Sequence, residues 1–399
     1  MCGIVGYIGN KQAADVICDG LEKLEYRGYD SAGVAVVNDS SQVCWTKKQG
    51  RLANLESMLK ETPILGTVGI GHTRWATHGA PSDVNSHPHL NKSETIAVVH
   101  NGIIENYMEI KEMLMAEGYV FKSETDTEVA VHLIDKYYEG DLLAAVYQAV
   151  AQFRGAYALG VVSSNHPGEL IAVRKESPLI VGVGEGEYFI ASDVPAILKY
   201  TRHVYYLEND EIVYVKDGKI QILDKNQKVI NKELKVVEWD IEAASKGGFD
   251  HFMMKEIYDQ PQAIRDTLLR RLDENRMIHL DDINLTKEDL EGITKMYIVA
   301  CGTAYHAGLV GKYAIEKLAK VPVEVEIASE FRYSDPFIDE HSLLIVVSQS
   351  GETADTLAAM KLAKTKGARV LAITNVVGSS VAREAHDVFY TWAGPEIAV

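Results

Sequence analysis

The strongest constraint on the fold comes from the last hundred residues, where short apolar runs alternate with helical patterns. The apolar runs occupy residues 296–300, 323–327, 343–347 and 370–373. This alternation is typical of βαβ units, in which helices connect parallel strands. The sequence therefore predicts an α/β domain with a parallel sheet, whose ligand sites lie beyond the carboxyl ends of the strands.

The first 240 residues have a different pattern, rich in short strand-like segments. Six of these segments lie at residues 4–8, 33–37, 67–70, 95–99, 157–162 and 169–173. Amphipathic helices are predicted at residues 11–24, 105–117, 127–138 and 142–153. Three later segments, at 204–207, 212–215 and 220–223, predict a meander that turns at Asp217-Gly218. Strands followed by paired helices indicate a layered α+β domain.

These patterns divide the 399 residues into three parts. We expect a layered domain over residues 2–240, a partly helical connector over 241–290 and a parallel-sheet domain over 291–399. The length fits this division, because a domain typically takes about 150 residues.

The composition excludes some classes of protein. The chain carries 40 Lys and Arg residues against 57 Asp and Glu residues, a net charge of −17. This acidic balance argues against nucleic acid binding, which depends on contacts with phosphates. A hydrophobic content of 47% is ordinary for a globular protein and excludes a disordered chain.

Cysteine usage and the N-terminal sequence indicate the cytoplasm. The four cysteines, Cys2, Cys18, Cys44 and Cys301, form no CxxC pair, as expected of free thiols in a reducing compartment. We find neither a signal peptide nor an apolar stretch of about 18 residues, so no membrane association is expected.

Cys2 follows the initiator methionine, which is commonly removed before a small residue. Its removal would place a thiol and a free α-amine on one residue. The amine, with a pKa of about 8, can accept the thiol proton, so the thiolate can attack without a separate histidine. The alternative is that Cys2 is a small hydrophobic residue at the start of a buried strand.

Three further segments bear on this choice. Residues 71–79 read Gly-His-Thr-Arg-Trp-Ala-Thr-His-Gly, residues 100–102 read His-Asn-Gly after an apolar strand, and residues 123–128 begin a helix. Each has an ordinary explanation. Asn-Gly usually forms a turn, an aspartate at the start of a helix, such as Asp126, is usually an N-cap, and arginine usually lies on the surface. Together with Cys-Gly-Ile-Val-Gly at residues 2–6 and Tyr-Arg-Gly-Tyr-Asp-Ser at residues 26–31, they resemble the glutaminase domain of class II glutamine amidotransferases.

The resemblance extends from Cys2 to about Val237 and implies the αββα layers of an N-terminal nucleophile hydrolase. It implies that Cys2 forms a glutamyl thioester, while Asn101 and the backbone N–H of Gly102 bind the oxyanion. Arg74 then binds the α-carboxylate of glutamine, and Asp126 binds the α-ammonium group. The remaining glutamine-site residues that it implies are Trp75 as a gate for ammonia, Thr77, His78 and a supporting Arg27.

Several histidines occur in or near these segments, namely His72, His78, His87, His89 and His100. A metal site needs defined ligand spacing and supporting carboxylates, which we do not find, and thiol chemistry needs no metal or other cofactor. The glycine-rich residues 182–186 lack a following helix, so we predict a hairpin turn there instead of a phosphate-binding loop.

Two loops follow strands of the predicted parallel sheet, and each opens a helix. Residues 301–305 read Cys-Gly-Thr-Ala-Tyr, and residues 348–353 read Ser-Gln-Ser-Gly-Glu-Thr. Hydroxyl and backbone N–H groups at a helix N-terminus bind phosphate, although serine and threonine also act as ordinary helix caps. Neither loop matches a nucleotide-binding motif.

This half resembles the sugar isomerase (phosphosugar-binding) domain. Ala304 stands where that family often has serine. The resemblance implies a sugar-phosphate site formed by Thr303, Ser348, Gln349, Ser350 and Thr353.

The order of the two domains resembles that of amidotransferases that pass ammonia from glutamine to fructose 6-phosphate. The product, glucosamine 6-phosphate, is the first intermediate of hexosamine synthesis. The resemblance implies a homodimer and a second sugar isomerase domain beyond residue 399, so we expect the chain to be a fragment. Two alternatives stay open, a catalytically idle phosphosugar sensor and another class II amidotransferase.

Overall fold

The computed structural model of the chain describes residues 2–25, 28–237, 248–280, 283–394 and 396–398. These residues form two compact units, one ending at residue 237 and the other beginning at residue 248.

The first unit contains two antiparallel sheets. The larger has eight strands, which in spatial order are β14 (Lys235–Val236), β11 (His203–Tyr206), β9 (Ile180–Val183), β10 (Tyr188–Ala191), β1 (Gly3–Ile8), β4 (Val68–Arg74), β2 (Ser31–Val37) and β3 (Val43–Gln49). The smaller has six strands, which in spatial order are β13 (Lys219–Leu223), β12 (Glu211–Lys216), β8 (His166–Lys175), β7 (Gly155–Ser163), β6 (Ile96–Ile104) and β5 (His89–Leu90).

Alternation of side chains along the strands divides the core of this unit into layers. Ile4 in β1, Ile70 in β4 and Val99 in β6 are fully buried between the two sheets. Residues of opposite parity, such as Val5 in β1 and Val98 in β6, face the helices. The large sheet is covered by α1 (Ala13–Glu22) and α2 (Leu52–Glu61), and the small sheet by α3 (Tyr107–Ala116), α4 (Thr127–Tyr137) and α5 (Leu142–Val150). The predicted αββα fold is therefore confirmed.

Within the sheets, two turns agree with their sequence predictions and two predictions fail. The predicted meander is wrong for its first segment, because β11 pairs with β9 and β14 in the larger sheet and not with β12. Strands β12 and β13 turn at Asp217 and Gly218, which have φ values of 50° and 68°. The glycine-rich segment 182–186 lies in the β9–β10 hairpin, as predicted. The prediction that a strand ends before Asn101 is wrong, because β6 continues to Ile104 and stays paired with β7.

The second unit is built on a parallel sheet, as predicted. Its strands in spatial order are β16 (Val323–Ile327), β15 (Lys295–Ala300), β17 (Ser342–Ser348), β18 (Arg369–Thr374) and β19 (Asp387–Tyr390). The helices of this unit are α6 (Phe252–Leu269), α7 (Lys287–Gly292), α8 (Gly302–Ala319), α9 (Ala328–Tyr333), α10 (Ala354–Thr365) and α11 (Ser380–Glu384). In the described parts of the chain, we find no helix with the length and apolar character needed to cross a bilayer.

Candidate active site

Cys2 lies immediately before β1, at the end of the strand that pairs with β4. Its Sγ accepts a hydrogen bond from the Trp75 backbone N–H at 3.2 Å and lies 3.5 Å from the Trp75 carbonyl oxygen. The side chain is half-buried. Burial raises the pKa of the thiol above its usual value, although the Trp75 N–H opposes the shift. Cys2 therefore holds its proton at neutral pH and needs a base to become a nucleophile.

The predicted oxyanion residues lie on the neighbouring sheet, next to Cys2. Asn101 is buried in β6, and its Nδ2 donates to the Cys2 carbonyl oxygen at 3.0 Å. Gly102 has φ of 116°, and a Cβ atom there would lie 2.0 Å from the Ala156 carbonyl oxygen. Glycine is therefore required at position 102, and the two sheets meet at the Cys2–Asn101 contact.

Arg74 ends β4 and is 3% exposed. Its Nη2 donates to the carbonyl oxygens of His78 and Gly79, the latter at 2.9 Å. Its Nη1 is buried, lies 3.9 Å from Asp30 Oδ1 and has no hydrogen-bond partner among the residues that the structure describes. A buried guanidinium N–H without a partner is costly, and an incoming carboxylate would satisfy it.

Asp126 lies directly before α4 and is 4% exposed. Asp126 has the N-cap position of that helix, but its side chain makes no capping hydrogen bond to it. Instead, Oδ2 accepts a hydrogen bond from the Ile104 backbone N–H at 2.9 Å and lies 3.9 Å from His100 Nδ1. These contacts attach the carboxylate to the end of β6, the strand that carries Asn101.

The remaining predicted glutamine-site residues lie on the loop after β4. Trp75 is 46% exposed and packs edge-on against Tyr29, with ring centroids 5.2 Å apart. Thr77 is exposed, and its Oγ1 lies 3.3 Å from His78 Nδ1. The predicted Arg27 lies outside the described residues.

Two residues of this site had no role assigned from sequence. Asp30 accepts a hydrogen bond from the Ala76 backbone N–H, which fastens the loop after β4. The His72 ring is fully buried, with Nε2 2.9 Å from Asn101 Oδ1. Both lie in the motifs at residues 26–31 and 71–79, but their contacts cross between strands and are not visible in the sequence.

Behind the site lies a group of buried histidines, His72, His87, His89 and His100. His87 Nε2 and His100 Nδ1 share Thr127 Oγ1 at 2.8 and 2.9 Å, and His89 Nε2 lies 3.0 Å from Thr125 Oγ1. Burial lowers the pKa of His72 to about 3 and also lowers the pKa values of the other three. The described residues include no group of three or more His, Cys, Asp or Glu arranged to hold a metal ion.

These neutral histidines predict acid sensitivity of the first unit. Between a pH of about 6.5 and the lower pKa of each folded-state ring, the unfolded chain binds more protons than the folded chain, so the free energy of unfolding falls as pH falls. Each contributes up to about 1.4 kcal/mol per pH unit. We expect hydrogen exchange in β6 to accelerate steeply from pH 7 to pH 5, after correction for the intrinsic exchange rate. His89→Gln should flatten this dependence, whereas replacing the exposed His203 by Gln should not. Equal protection at both pH values would contradict this prediction.

In the second unit, the predicted sugar-phosphate residues lie on two adjacent loops. Strands β15 and β17 pair in parallel, with Ala300 opposite Val347, so both loops emerge at the same edge of the sheet. Cys301 Sγ and Thr356 Oγ1, 4.0 Å apart, connect the segments that follow the two strands. Thr303 is exposed in the first turn of α8.

The loop between β17 and α10 is a tight turn held by hydrogen bonds among its own residues. Ser348 Oγ accepts from the Gly351 backbone N–H at 3.1 Å and lies 3.0 Å from Thr353 Oγ1, while the backbone of Gln349 accepts from Asn375 N–H at 3.1 Å. Ser350 is half-buried. The Thr353 side chain makes no capping bond to α10, so the capping interpretation is wrong for this residue. An anion could therefore bind the first N–H groups of α10.

Comparison with known proteins agrees with both halves of this description. Residues 72–199 match the glutamine amidotransferase domain family, and residues 290–399 match the SIS domain family. A glutamine–fructose-6-phosphate aminotransferase (isomerizing) from Clostridium tetani is 62% identical over 400 residues, covering 100% of this chain and 66% of the relative. The enzyme of the same name from Thermus thermophilus is 50% identical over 399 residues and is covered to 65%. The chain thus spans slightly less than two thirds of the length of these relatives.

Among solved structures, the glutamine phosphoribosylpyrophosphate amidotransferase of Bacillus subtilis, complexed with ADP and GMP, is similar in fold. The similarity has a TM-score of 0.52 at 17% identity and covers 98% of this chain and 90% of the other. The two domain matches and the 62% identity over the whole of this chain together show that it belongs to the glutamine–fructose-6-phosphate aminotransferase family.

Proposed function

We propose that the chain hydrolyses glutamine at Cys2 and supplies the ammonia for amination of fructose 6-phosphate. The observation that carries this proposal is the meeting of three groups at one edge of the two sheets. These are the Cys2 thiol, the Asn101 amide and the buried Arg74, whose Nη1 has no hydrogen-bond partner among the described residues. A nucleophile, an oxyanion donor and a carboxylate ligand are what amide hydrolysis of an amino acid requires.

In the proposed reaction, Sγ of Cys2 attacks the side-chain carbonyl carbon of glutamine. The thiol proton passes to the α-amine of Cys2 and then to the departing nitrogen, which leaves as ammonia. The carbonyl oxygen carries negative charge in the tetrahedral intermediate, where Nδ2 of Asn101 and the Gly102 N–H donate to it. Water then hydrolyses the thioester to release glutamate and restore the thiol.

Charge complementarity supports glutamine as the substrate of this site. Arg74 offers an α-carboxylate a donor that makes no hydrogen bond within the described part of the chain, and Asp126 offers a buried carboxylate to an α-ammonium group. A free amino acid amide carries both charges, whereas a glutamine side chain within a polypeptide carries neither. The site should therefore select free glutamine.

We extend the proposal to the second unit because the curated relatives carry fructose 6-phosphate in their name. The uncapped N-terminus of α10 and the hydroxyls of Ser348, Ser350 and Thr353 suit the phosphate of that sugar. We propose domain boundaries at 2–240 and 291–399 with a connector between them, and a cytoplasmic homodimer as the working assembly.

The test is glutamate formation by the purified chain, with and without fructose 6-phosphate, together with calorimetric titration of the sugar. Glutamate formation and sugar binding would support the proposal. Sugar binding without glutamate formation would favour a phosphosugar sensor. Glutamate formation without sugar binding would favour another class II amidotransferase.

The phosphate site leads to a prediction for Ser350→Ala. Loss of a hydroxyl that donates to a charged phosphate should weaken fructose 6-phosphate binding by about 10-fold or more. The exposed Ser334 provides a matched control, and Ser334→Ala should bind as the unchanged chain does. Equal affinities of the two variants in titration calorimetry would exclude Ser350 from the site.

A further inference from the structure

We propose that His72 is a positioning residue that holds the Asn101 side chain with its N–H group directed at the oxyanion. The inference rests on the proposed glutamine hydrolysis. It assigns a task to the buried ring in β4 whose Nε2 lies 2.9 Å from Asn101 Oδ1. His72 itself donates nothing to the substrate.

The hydrogen-bond directions follow from one fixed acceptor. The Cys2 carbonyl oxygen can only accept, so Asn101 must direct its Nδ2 towards it, at 3.0 Å. Oδ1 of Asn101 then faces His72, and a carbonyl oxygen can only accept as well. Nε2 of His72 must therefore carry a hydrogen and donate it, which selects one tautomer of the ring.

The surroundings of the ring favour the same tautomer. Nδ1 of His72 is buried and has no hydrogen-bond partner in the described part of the chain. A proton on Nδ1 in place of Nε2 would leave the Asn101 carbonyl oxygen facing another acceptor, so the proton belongs on Nε2. The ring stays neutral throughout the range of working pH, because burial lowers its pKa to about 3.

Packing prevents the ring from turning away. His72 lies against His87 with ring centroids 4.0 Å apart and planes inclined by 35°, and His87 Nε2 is held by Thr127 Oγ1 at 2.8 Å. On the backbone, His72 pairs with Ile4 of β1 on one side and with Gly33 of β2 on the other. The donor is thus fixed by the sheet that carries Cys2, while Asn101 belongs to the other sheet.

Without this donor, Asn101 would keep a buried carbonyl without a partner, and its amide could rotate about the terminal torsion. The N–H directed at the oxyanion would then be correctly placed only part of the time. Removal of an oxyanion donor lowers kcat by about 10²–10³-fold in other hydrolases, so misplacement should lower it by about 10–100-fold. The KM for glutamine should change little, because the α-carboxylate and α-ammonium contacts are elsewhere.

The experiment compares His72→Phe, which keeps the ring volume but has no donor, with His72→Gln, whose amide nitrogen can occupy the place of Nε2. Glutamine hydrolysis is measured beside alkylation of Cys2 by iodoacetamide, which displaces iodide and creates no oxyanion. We expect His72→Phe to lose about 10–100-fold in kcat with unchanged KM and unchanged Cys2 alkylation. His72→Gln should have a kcat within about threefold of that of the unchanged chain, which is a small loss compared with the loss caused by removing an oxyanion donor.

An Asn101→Ala background completes the test. If His72 acts through Asn101, adding His72→Phe to Asn101→Ala should cause no further loss of kcat. A full additional loss of kcat in the double variant would overturn the inference. So would a His72→Phe variant that keeps the wild-type kcat, or a His72→Phe variant whose KM for glutamine is raised and whose Cys2 alkylation is slowed. The unchanged chain is assayed beside the variants. If it forms no glutamate, the proposed function fails and this inference fails with it. If it forms glutamate but the variants behave otherwise than expected, only this inference fails.

Discussion

Replacing Cys2 by alanine should abolish glutamine hydrolysis and leave the fold intact. The variant removes the Sγ atom that would attack the amide carbon, and the remaining donors cannot form a thioester. We expect a loss of about 10⁴-fold or more in kcat, as for other nucleophile deletions. The loss of kcat is measured as the rate of glutamate formation at saturating glutamine. The protein used must have an intact mass which shows that Met1 has been removed. Removal of Met1 matters because the nitrogen of Cys2 is otherwise a peptide nitrogen, which cannot accept the thiol proton.

Cys44 offers a matched control for this variant. It is also half-buried, and its Sγ accepts from Asn38 Nδ2 at 3.3 Å in the first unit. Cys44→Ala should retain glutamine turnover within about twofold, since a substitution away from the site leaves catalysis unchanged. Substantial turnover in a folded, Met1-processed Cys2→Ala protein would show that another group is the nucleophile.

The elements predicted most accurately from sequence are four strands of the parallel sheet, β15 to β18, whereas its edge strand β19 has no counterpart among the predicted segments. The predicted segments 296–300 and 343–347 agree with β15 and β17 to within one residue at each end. Strands buried on both faces are continuous apolar runs, so their limits are visible in the sequence. By contrast, β3 was not predicted, because this edge strand is only partly buried and contains Lys47 and Lys48.

The functional site was predicted as a set of residue types, but its contacts were not. Cys2, Arg74 and Asn101 stood out because each lies in a distinctive motif. The bond between His72 and Asn101 joins strands of different sheets, and no local pattern reports it. The strand assignment near Asn101 failed for a related reason, because pairing with β7 outweighs the turn preference of Asn-Gly.

The second large effect is expected from Arg74→Lys. The guanidinium holds the loop carbonyls of His78 and Gly79 through Nη2, while its Nη1, without a hydrogen bond to any residue that the structure describes, can donate to a carboxylate. A lysine ammonium is a single point of charge and cannot do both. We expect kcat/KM for glutamine to fall by about 30-fold or more, mainly through KM, which corresponds to about 2 kcal/mol of charge-assisted bonding.

Two comparisons show whether this loss comes from the substrate carboxylate. Arg154 is a matched control, since its side chain is 72% exposed and lies 3.9 Å from Glu109, so Arg154→Lys should leave KM unchanged. The second uses 4-aminobutanamide, which is glutamine without its α-carboxyl group. The unchanged chain should hydrolyse this analogue poorly, and Arg74→Lys should reduce its hydrolysis by much less than it reduces that of glutamine, because the contact is already missing. An equal loss on both substrates would show that Arg74 only supports the loop after β4.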